Sequence, residues 1–185
     1  MMRTFIAIDV NDEVRRRTNE IVEKLVKRRF KATWVKPENV HLTLFFLDEI
    51  SKEKAEQISE RLKRRLLGFP SFSFIVERMG YFKGRNGKPR VVWLGVKYDQ
   101  ALKRLYSEIL NELEKFSFQF PQDFKPHITI GRVKMVPEKW ELLLSDISYD
   151  PIVVPVDCVV VYSSTLTPSG PIYSVFKKIK FEGGI

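Results

Sequence analysis

The chain has 185 residues, 44% of them hydrophobic and 14 of them Phe, which is enough for one substantial core or for two lobes that share one. No stretch nears the roughly 20 apolar residues of a membrane-spanning helix, and the start MMRTFIAIDV meets an aspartate too soon for a signal peptide's apolar region, so a soluble, cytoplasmic protein is expected. The 32 Lys and Arg against 23 Asp and Glu give a net charge of +9, which fits a polyanionic partner and equally a thermophile-like charged surface.

Thr4 to Val10 alternates and is rich in β-formers. Asn11 then caps a helix with Asp12 and Glu13 in its first turn and Val14, Ile21 and Leu25 on its apolar stripe. Beyond Trp34, Val40 to Leu47 reads as a strand. Ser51 caps a second helix that buries Ala55, Ile58, Leu62 and Leu66 and stops at Gly68 and Pro70. Ser71 to Met79 and Val91 to Lys97 read as strands joined by an exposed basic loop, YFKGRNGKPR. Asp99 caps the clearest helix, with Leu102, Leu105, Tyr106, Ile109, Leu113 and Phe116 on one side. A strand from His127 to Lys134 follows, and Pro137 opens a short helix through Trp140 and Leu143. The last strands are Val153 to Tyr162 and Ile172 to Ile179, with Thr165 to Gly170 as the turn between them.

Strands and helices recur in both halves without a long linker or low-complexity tract. The expected fold is therefore α+β, a single bilobal domain over residues 1–185. It has two pseudo-symmetric lobes, each an antiparallel sheet with helices on its outer face, enclosing a central cleft. Basic runs at Arg15 to Arg17, Lys27 to Arg29 and Lys63 to Arg65 read as solvated helix faces. Trp34 and Trp93 read as core or cleft wall, and Cys158, the sole cysteine, as a buried thiol inside the apolar run VPVDCVVVY.

Both histidines of the chain occur in one local pattern, HLTL from His41 and HITI from His127. Side chains two apart on a strand point the same way, so His41 projects with Thr43, and His127 with Thr129. Each strand offers one imidazole and one hydroxyl. An imidazole titrates near neutral pH, so one can take a proton from water while the other gives one to a leaving oxygen. Two hydroxyls can hydrogen-bond the non-bridging oxygens of a phosphodiester as charge builds on them. Neither motif brings a carboxylate or second histidine at metal-ligand spacing, so neither a metal nor a cofactor is expected.

With these motifs, the start RTFIAIDV, the segments HLTLFFLDEI, GKPRVVWLGV and FKPHITIGRVK, and the late YSSTLTPSGPIYSVF, the chain resembles the two-histidine phosphoesterase superfamily. The resemblance is to its RNA 2′,3′-cyclic phosphodiesterase branch, also called 2′-5′ RNA ligase, and runs nearly end to end. It implies that His41 protonates the leaving 3′ oxygen, that His127 activates water, and that Thr43 and Thr129 bind the phosphate, leaving a 2′-phosphate. It implies ATP-independent 2′-5′ ligation as the reverse reaction. The implied partner is RNA with a 2′,3′-cyclic phosphate end, tRNA fragments included, bound by a monomer away from membranes.

Arg132 matches a phosphate-binding arginine of the family. It lies five residues from His127, an odd offset that turns it to the opposite face of a regular strand unless Gly131 hosts a bulge. Phe45 shares the face of His41 and Thr43 on an ideal strand and is expected on the cleft floor. Phe82, Lys83 and Arg85 of the basic loop are candidate RNA contacts. The competing readings are a non-catalytic RNA-end-binding protein and a cyclic phosphodiesterase for a small nucleotide.

Overall fold

A computed structural model of the chain describes residues 1–121 and 123–181. In chain order the elements are β1 (Met2–Asp9), α1 (Asp12–Lys27), β2 (Lys31–Trp34), a 3-10 turn (Pro37–Asn39), β3 (His41–Ile50), α2 (Lys52–Leu66), β4 (Phe72–Lys83) and β5 (Pro89–Val96). There follow α3 (Gln100–Glu114), β6 (His127–Met135), α4 (Trp140–Ser145), β7 (Ile152–Val156), β8 (Cys158–Thr167) and β9 (Gly170–Lys180). The helix starts fall where the cap residues put them. Asn11, Ser51 and Asp99 each accept a hydrogen bond from the backbone N–H three residues on, satisfying a donor the first turn leaves orphaned.

The strands form two antiparallel sheets, in the orders β3-β1-β8-β9 and β2-β6-β5-β4-β7. One histidine strand lies in each, so the α+β bilobal architecture expected from the pattern is present, and β3 and β6 come into contact across the cleft between the sheets. The lobes are not the two halves of the chain. β2 leaves the first half to pair with β6, and β8 and β9 return from the second half to pair with β1 and with each other.

The helices cross over as well. Asn11 at the start of α1 donates to the Val153 carbonyl on β7, and Arg28 at its end bonds the Leu143 carbonyl and the Asp146 carboxylate at α4, so α1 belongs to the five-stranded sheet. α2 and α3 lie together beside the four-stranded one, with Arg61 of α2 donating to Glu112 of α3 at 2.8 Å and Phe45 of β3 stacked on Tyr106 of α3 at 4.4 Å between ring centroids. This exchange joins the lobes through one continuous cluster of buried apolar side chains.

Three expectations need correcting. Val153 to Tyr162 is not one strand: it breaks at Asp157, and β7 pairs with β4 while β8 pairs with β1 in the other sheet. The basic loop is shorter than YFKGRNGKPR, because Tyr81 and Phe82 stay on β4 opposite Val92 and Val91, and the turn spans only Gly84 to Lys88. α4 begins at Trp140 rather than Pro137, after Lys139 takes a left-handed conformation (φ 56°). Cys158 is buried as expected, and burial pushes its thiol up to about 11.

Candidate active site

His41 and His127 each open a strand, and the backbone just before each ring fixes its tautomer. The His41 Nδ1 lies 2.6 Å from the Asn39 carbonyl oxygen, and the His127 Nδ1 lies 2.8 Å from the Lys125 carbonyl oxygen. A carbonyl can only accept, so Nδ1 carries the proton in both rings and Nε2 is left as the working nitrogen. In the neutral ring the His41 Nε2 accepts from the Thr43 hydroxyl at 2.8 Å. The same arrangement of ring and carbonyl two residues upstream is thus built twice.

The two strands also share an irregularity. Along β3, Ile6 of β1 pairs with Phe45 and Ala7 with Thr43, which leaves Leu44 as an extra residue. Along β6, Val92 of β5 pairs with Gly131 and Trp93 with Thr129, which leaves Ile130 as an extra residue. Both are β-bulges, and each shifts the alternation of side chains by one. The residue five after each histidine therefore rejoins the face of the imidazole and the threonine. That residue is Arg132 in one lobe and Phe46 in the other.

The bulge at Ile130 and Gly131 returns Arg132 to the cleft face. Burial raises the Tyr173 phenol of the opposite sheet while the Arg132 charge lowers it, and the Tyr173 ring stands edge-on to His41 at 5.4 Å. Arg132 therefore faces the surroundings of the other lobe's histidine. Gly131 does not have a left-handed φ; it is glycine for space. A Cβ there would lie 2.5 Å from Trp34 Cε3 and 2.7 Å from Cζ3, because the indole of the paired β2 residue lies across it.

Phe45 is not on the cleft floor, and the bulge is the reason. It is turned into the core, 1% exposed, between Tyr106 and Phe120. Phe46, 61% exposed, takes the cleft position instead, 6.0 Å from Phe5. Phe82 meets the His127 ring edge-on at 4.9 Å and leans on Trp93 at 5.4 Å, while staying 39% exposed. Lys83 and Arg85 are exposed on the same hairpin. A Cβ on Gly80 would meet the Trp93 ring at 2.2 Å, so the indole rests on bare backbone.

Around His41 the sequence reading missed an aromatic wall. Phe5 stacks on the imidazole at 5.0 Å, Tyr162 stacks on Phe5 at 5.1 Å, and Tyr173 stands edge-on to both Phe5 and the imidazole, at 4.9 and 5.4 Å. Tyr162 donates to the Asp9 carboxylate at 2.5 Å, and Asp9 pairs with His41 in the β1–β3 ladder. Burial in this wall pulls the His41 imidazole below its ordinary value of 6.5, while the Asn39 carbonyl and the Asp9 charge pull it up. The Tyr162 and Tyr173 phenols are raised, first by burial. No motif spacing announces these residues; the signal was the aromatic content of YSSTLTPSGPIYSVF, whose hairpin register pairs Tyr162 with Phe5 of β1 and sets Tyr173 on β9, one strand further out.

No cluster of three or more His, Cys, Asp or Glu suited to a metal ion occurs among the described residues. The site is a cleft with an imidazole and a hydroxyl on each wall, a guanidinium with the Phe82 and Trp93 rings on the His127 side and the Phe5, Tyr162 and Tyr173 rings on the His41 side. The arrangement can exchange protons on two sides of a bound group and hold an anion between them.

A family model described as LigT like Phosphoesterase matches residues 8–93 and again residues 94–173, so each match contains one histidine strand. An RNA 2′,3′-cyclic phosphodiesterase of Thermotoga maritima is 58% identical over 184 residues, covering 100% of this chain and 98% of that protein. Among solved structures, TT0787 of Thermus thermophilus superposes with a TM-score of 0.77 at 29% identity, covering 98% of this chain and 99% of that one. E. coli LigT complexed with 3′-AMP superposes at 0.73 with 25% identity, covering 98% of both chains.

Proposed function

The chain belongs to the LigT-like phosphoesterase family, and from that premise we propose that it opens RNA 2′,3′-cyclic phosphate ends to 2′-phosphomonoesters without a metal. The observation that carries this reading is the duplicated bulged strand, which presents an imidazole with its Nδ1 locked to a backbone carbonyl, and a threonine, on each side of one cleft. The naming of the Thermotoga maritima relative supports RNA as the substrate.

In this mechanism a water attacks phosphorus and gives its proton to the His127 Nε2, while the bond from phosphorus to O3′ breaks and O3′ takes a proton from the His41 Nε2. Thr43, Thr129 and Arg132 hold the non-bridging oxygens, where the charge of the five-coordinate transition state gathers. Phe46 and Phe82 offer faces or edges to the nucleoside. The depressed pKa of His41 leaves it largely neutral at pH 7 in the free protein, so the bound phosphodiester anion must raise it to load the acid. Binding a phosphate ligand above pH 6.5 therefore takes up a proton.

Run backwards, with each imidazole in the opposite protonation state, the same groups would join a cyclic phosphate to a 5′-hydroxyl. Hydrolysis dominates unless a second RNA end is held in place. The reading includes a cytoplasmic monomer that processes RNA ends such as tRNA fragments. Among the described residues no helix is long and apolar enough to cross a membrane.

The test is incubation in excess EDTA with an RNA ending in a 2′,3′-cyclic phosphate, resolving 2′- from 3′-phosphate products. A 2′-phosphate product that is lost in both His41→Ala and His127→Ala is expected. Turnover that persists in either variant, or a 3′-phosphate product, overturns the mechanism. Retained RNA binding with no turnover in the wild type would instead make the chain a binder of RNA ends.

A further inference from the structure

The excess of positive charge is unevenly spent. On the helices much of it is neutralised: Arg15, Arg16 and Arg17 pair with Asp12 and Glu20, and Arg61 and Arg65 pair with Glu112 and Glu108. At the β4–β5 hairpin it is not. Arg85, Lys88 and Arg90 line one wall of a groove of about 660 Å³, and Lys134 of β6 lines the other. None of the four pairs with a carboxylate among the described residues, and no Asp or Glu lines the groove.

The hairpin holds these cations in place. Gly84 donates to the Lys88 carbonyl at 2.8 Å, Gly87 donates to the Gly84 carbonyl at 3.1 Å with its φ at 74°, and Asn86 accepts from the Lys88 N–H at 3.1 Å. The turn is thus closed by its own bonds, and its long side chains are left for a ligand. Between the cations the lining is apolar, from Pro89, Val133, Val136 and Met135, the last 48% exposed.

The groove starts where the candidate active site ends. Phe82, Val91 and Arg132 form one row across β4, β5 and β6, and Arg90 and Val133, the next residues along two of those strands, already line the groove. A ligand whose end lies between His127 and Arg132 continues into it past Phe82.

We infer that this groove binds the sugar–phosphate backbone and bases of single-stranded RNA leading away from the reacting end, an inference that rests on the cyclic-phosphodiesterase reading. The cations match a repeating anion, and the apolar floor matches exposed base faces. A duplex, with its bases stacked inside, would leave that floor unused. A mononucleotide is too short to reach the groove, so substrate length becomes the property the groove reads.

The experiment is fluorescence anisotropy with a labelled RNA of about 12 nucleotides, within the span of a single-strand site, ending in a 2′-phosphate, over a range of KCl, with 2′-AMP binding followed in parallel. In the variant Lys88→Gln, Arg90→Gln, Lys134→Gln, the ratio of oligonucleotide to 2′-AMP affinity should fall roughly tenfold, and the slope of log affinity against log salt should flatten by about 2, from three lost phosphate contacts on a single strand. The charge-retaining variant Lys88→Arg, Arg90→Lys, Lys134→Arg should keep the wild-type slope. A glutamine variant with the wild-type ratio and slope overturns the groove. Failure of the parent reading looks different: the oligonucleotide is bound in a groove-dependent way, but the wild type leaves its cyclic-phosphate counterpart unopened.

Discussion

Gly131→Ala tests whether the bulge is what delivers Arg132 to the cleft. The added Cβ would lie 2.5 Å from Trp34 Cε3, whereas ordinary contact begins at 3.4 Å, so ring and strand must separate by about 0.9 Å. Trp34 cannot simply swing away, because β2 is tied to β6 by its ladder and Val35 donates to the Ile130 carbonyl at 2.9 Å inside the bulge itself. Overpacking of this kind costs about 1–3 kcal/mol, and for a chain of this size about 2 kcal/mol lowers Tm by roughly 4–8 °C. The displaced bulge also carries Arg132 out of the cleft, and if Arg132 holds the phosphate as proposed, a lost charge-assisted hydrogen bond of about 1.5–3 kcal/mol should lower kcat/KM by roughly tenfold to a hundredfold. Thermal unfolding and steady-state hydrolysis of a cyclic mononucleotide read the two effects. Combining Gly131→Ala with Trp34→Leu should restore much of the activity, and adding Gly131→Ala to Arg132→Ala should cost little more activity than Arg132→Ala alone. A Gly131→Ala protein with wild-type Tm and kcat/KM would refute the argument from both sides.

Phe45 and Phe46 are neighbours with opposite fates. Phe45→Ala should destabilise by about 3–5 kcal/mol in denaturant unfolding, from the cavity it leaves against Tyr106 and Phe120. Phe46→Ala should change stability by no more than about 0.5 kcal/mol yet raise KM severalfold or more, the loss of a base–aromatic contact of about 1–3 kcal/mol; equal destabilisation by the two would contradict the bulge at Leu44. For His41, whose pKa burial depresses and Asp9 partly restores, the imidazole resonance that survives in His127→Ala should titrate below pH 6.5 by NMR. Asp9→Asn removes a charge that favours the imidazolium, so that midpoint should move lower still; a rise would contradict the assigned cause.

How much was legible follows from what a period can carry. Helix caps at Asn11, Ser51 and Asp99 are local chemistry, written in the residues that make the bond. The two HxTx strands are local as well, and their duplication marked the candidate site without any knowledge of the fold. A bulge, by contrast, is a property of two strands: nothing in LTLFF says that Leu44 lacks a partner on β1, and counting by twos from His41 then misplaces Phe45. At Arg132 the same counting exposed the difficulty, because a glycine stood beside it. The break at Asp157 is silent for a related reason. Val153 to Tyr162 carries a single charge, Asp157, in a run otherwise rich in strand-formers, so β7 and β8 read like one strand although they pair in two different sheets. β2 has only four residues and no alternation long enough to notice.

The pseudo-symmetry itself explains why the site can be directional. Two copies of one strand motif, bulged at the same place, would by themselves make a cleft with equivalent walls, able to hold a cyclic phosphate in either sense. What separates the walls is the residue each bulge returns to the cleft, a guanidinium at Arg132 and a phenyl ring at Phe46, together with the aromatic enclosure of His41 against the more open setting of His127. The cationic groove then adjoins only the Arg132 side. On the proposed function, an anionic strand entering from that side would pass the cations, Phe82 and Arg132 before reaching the aromatic enclosure of His41, which would give the polynucleotide one favourable orientation and so tell the acid from the base.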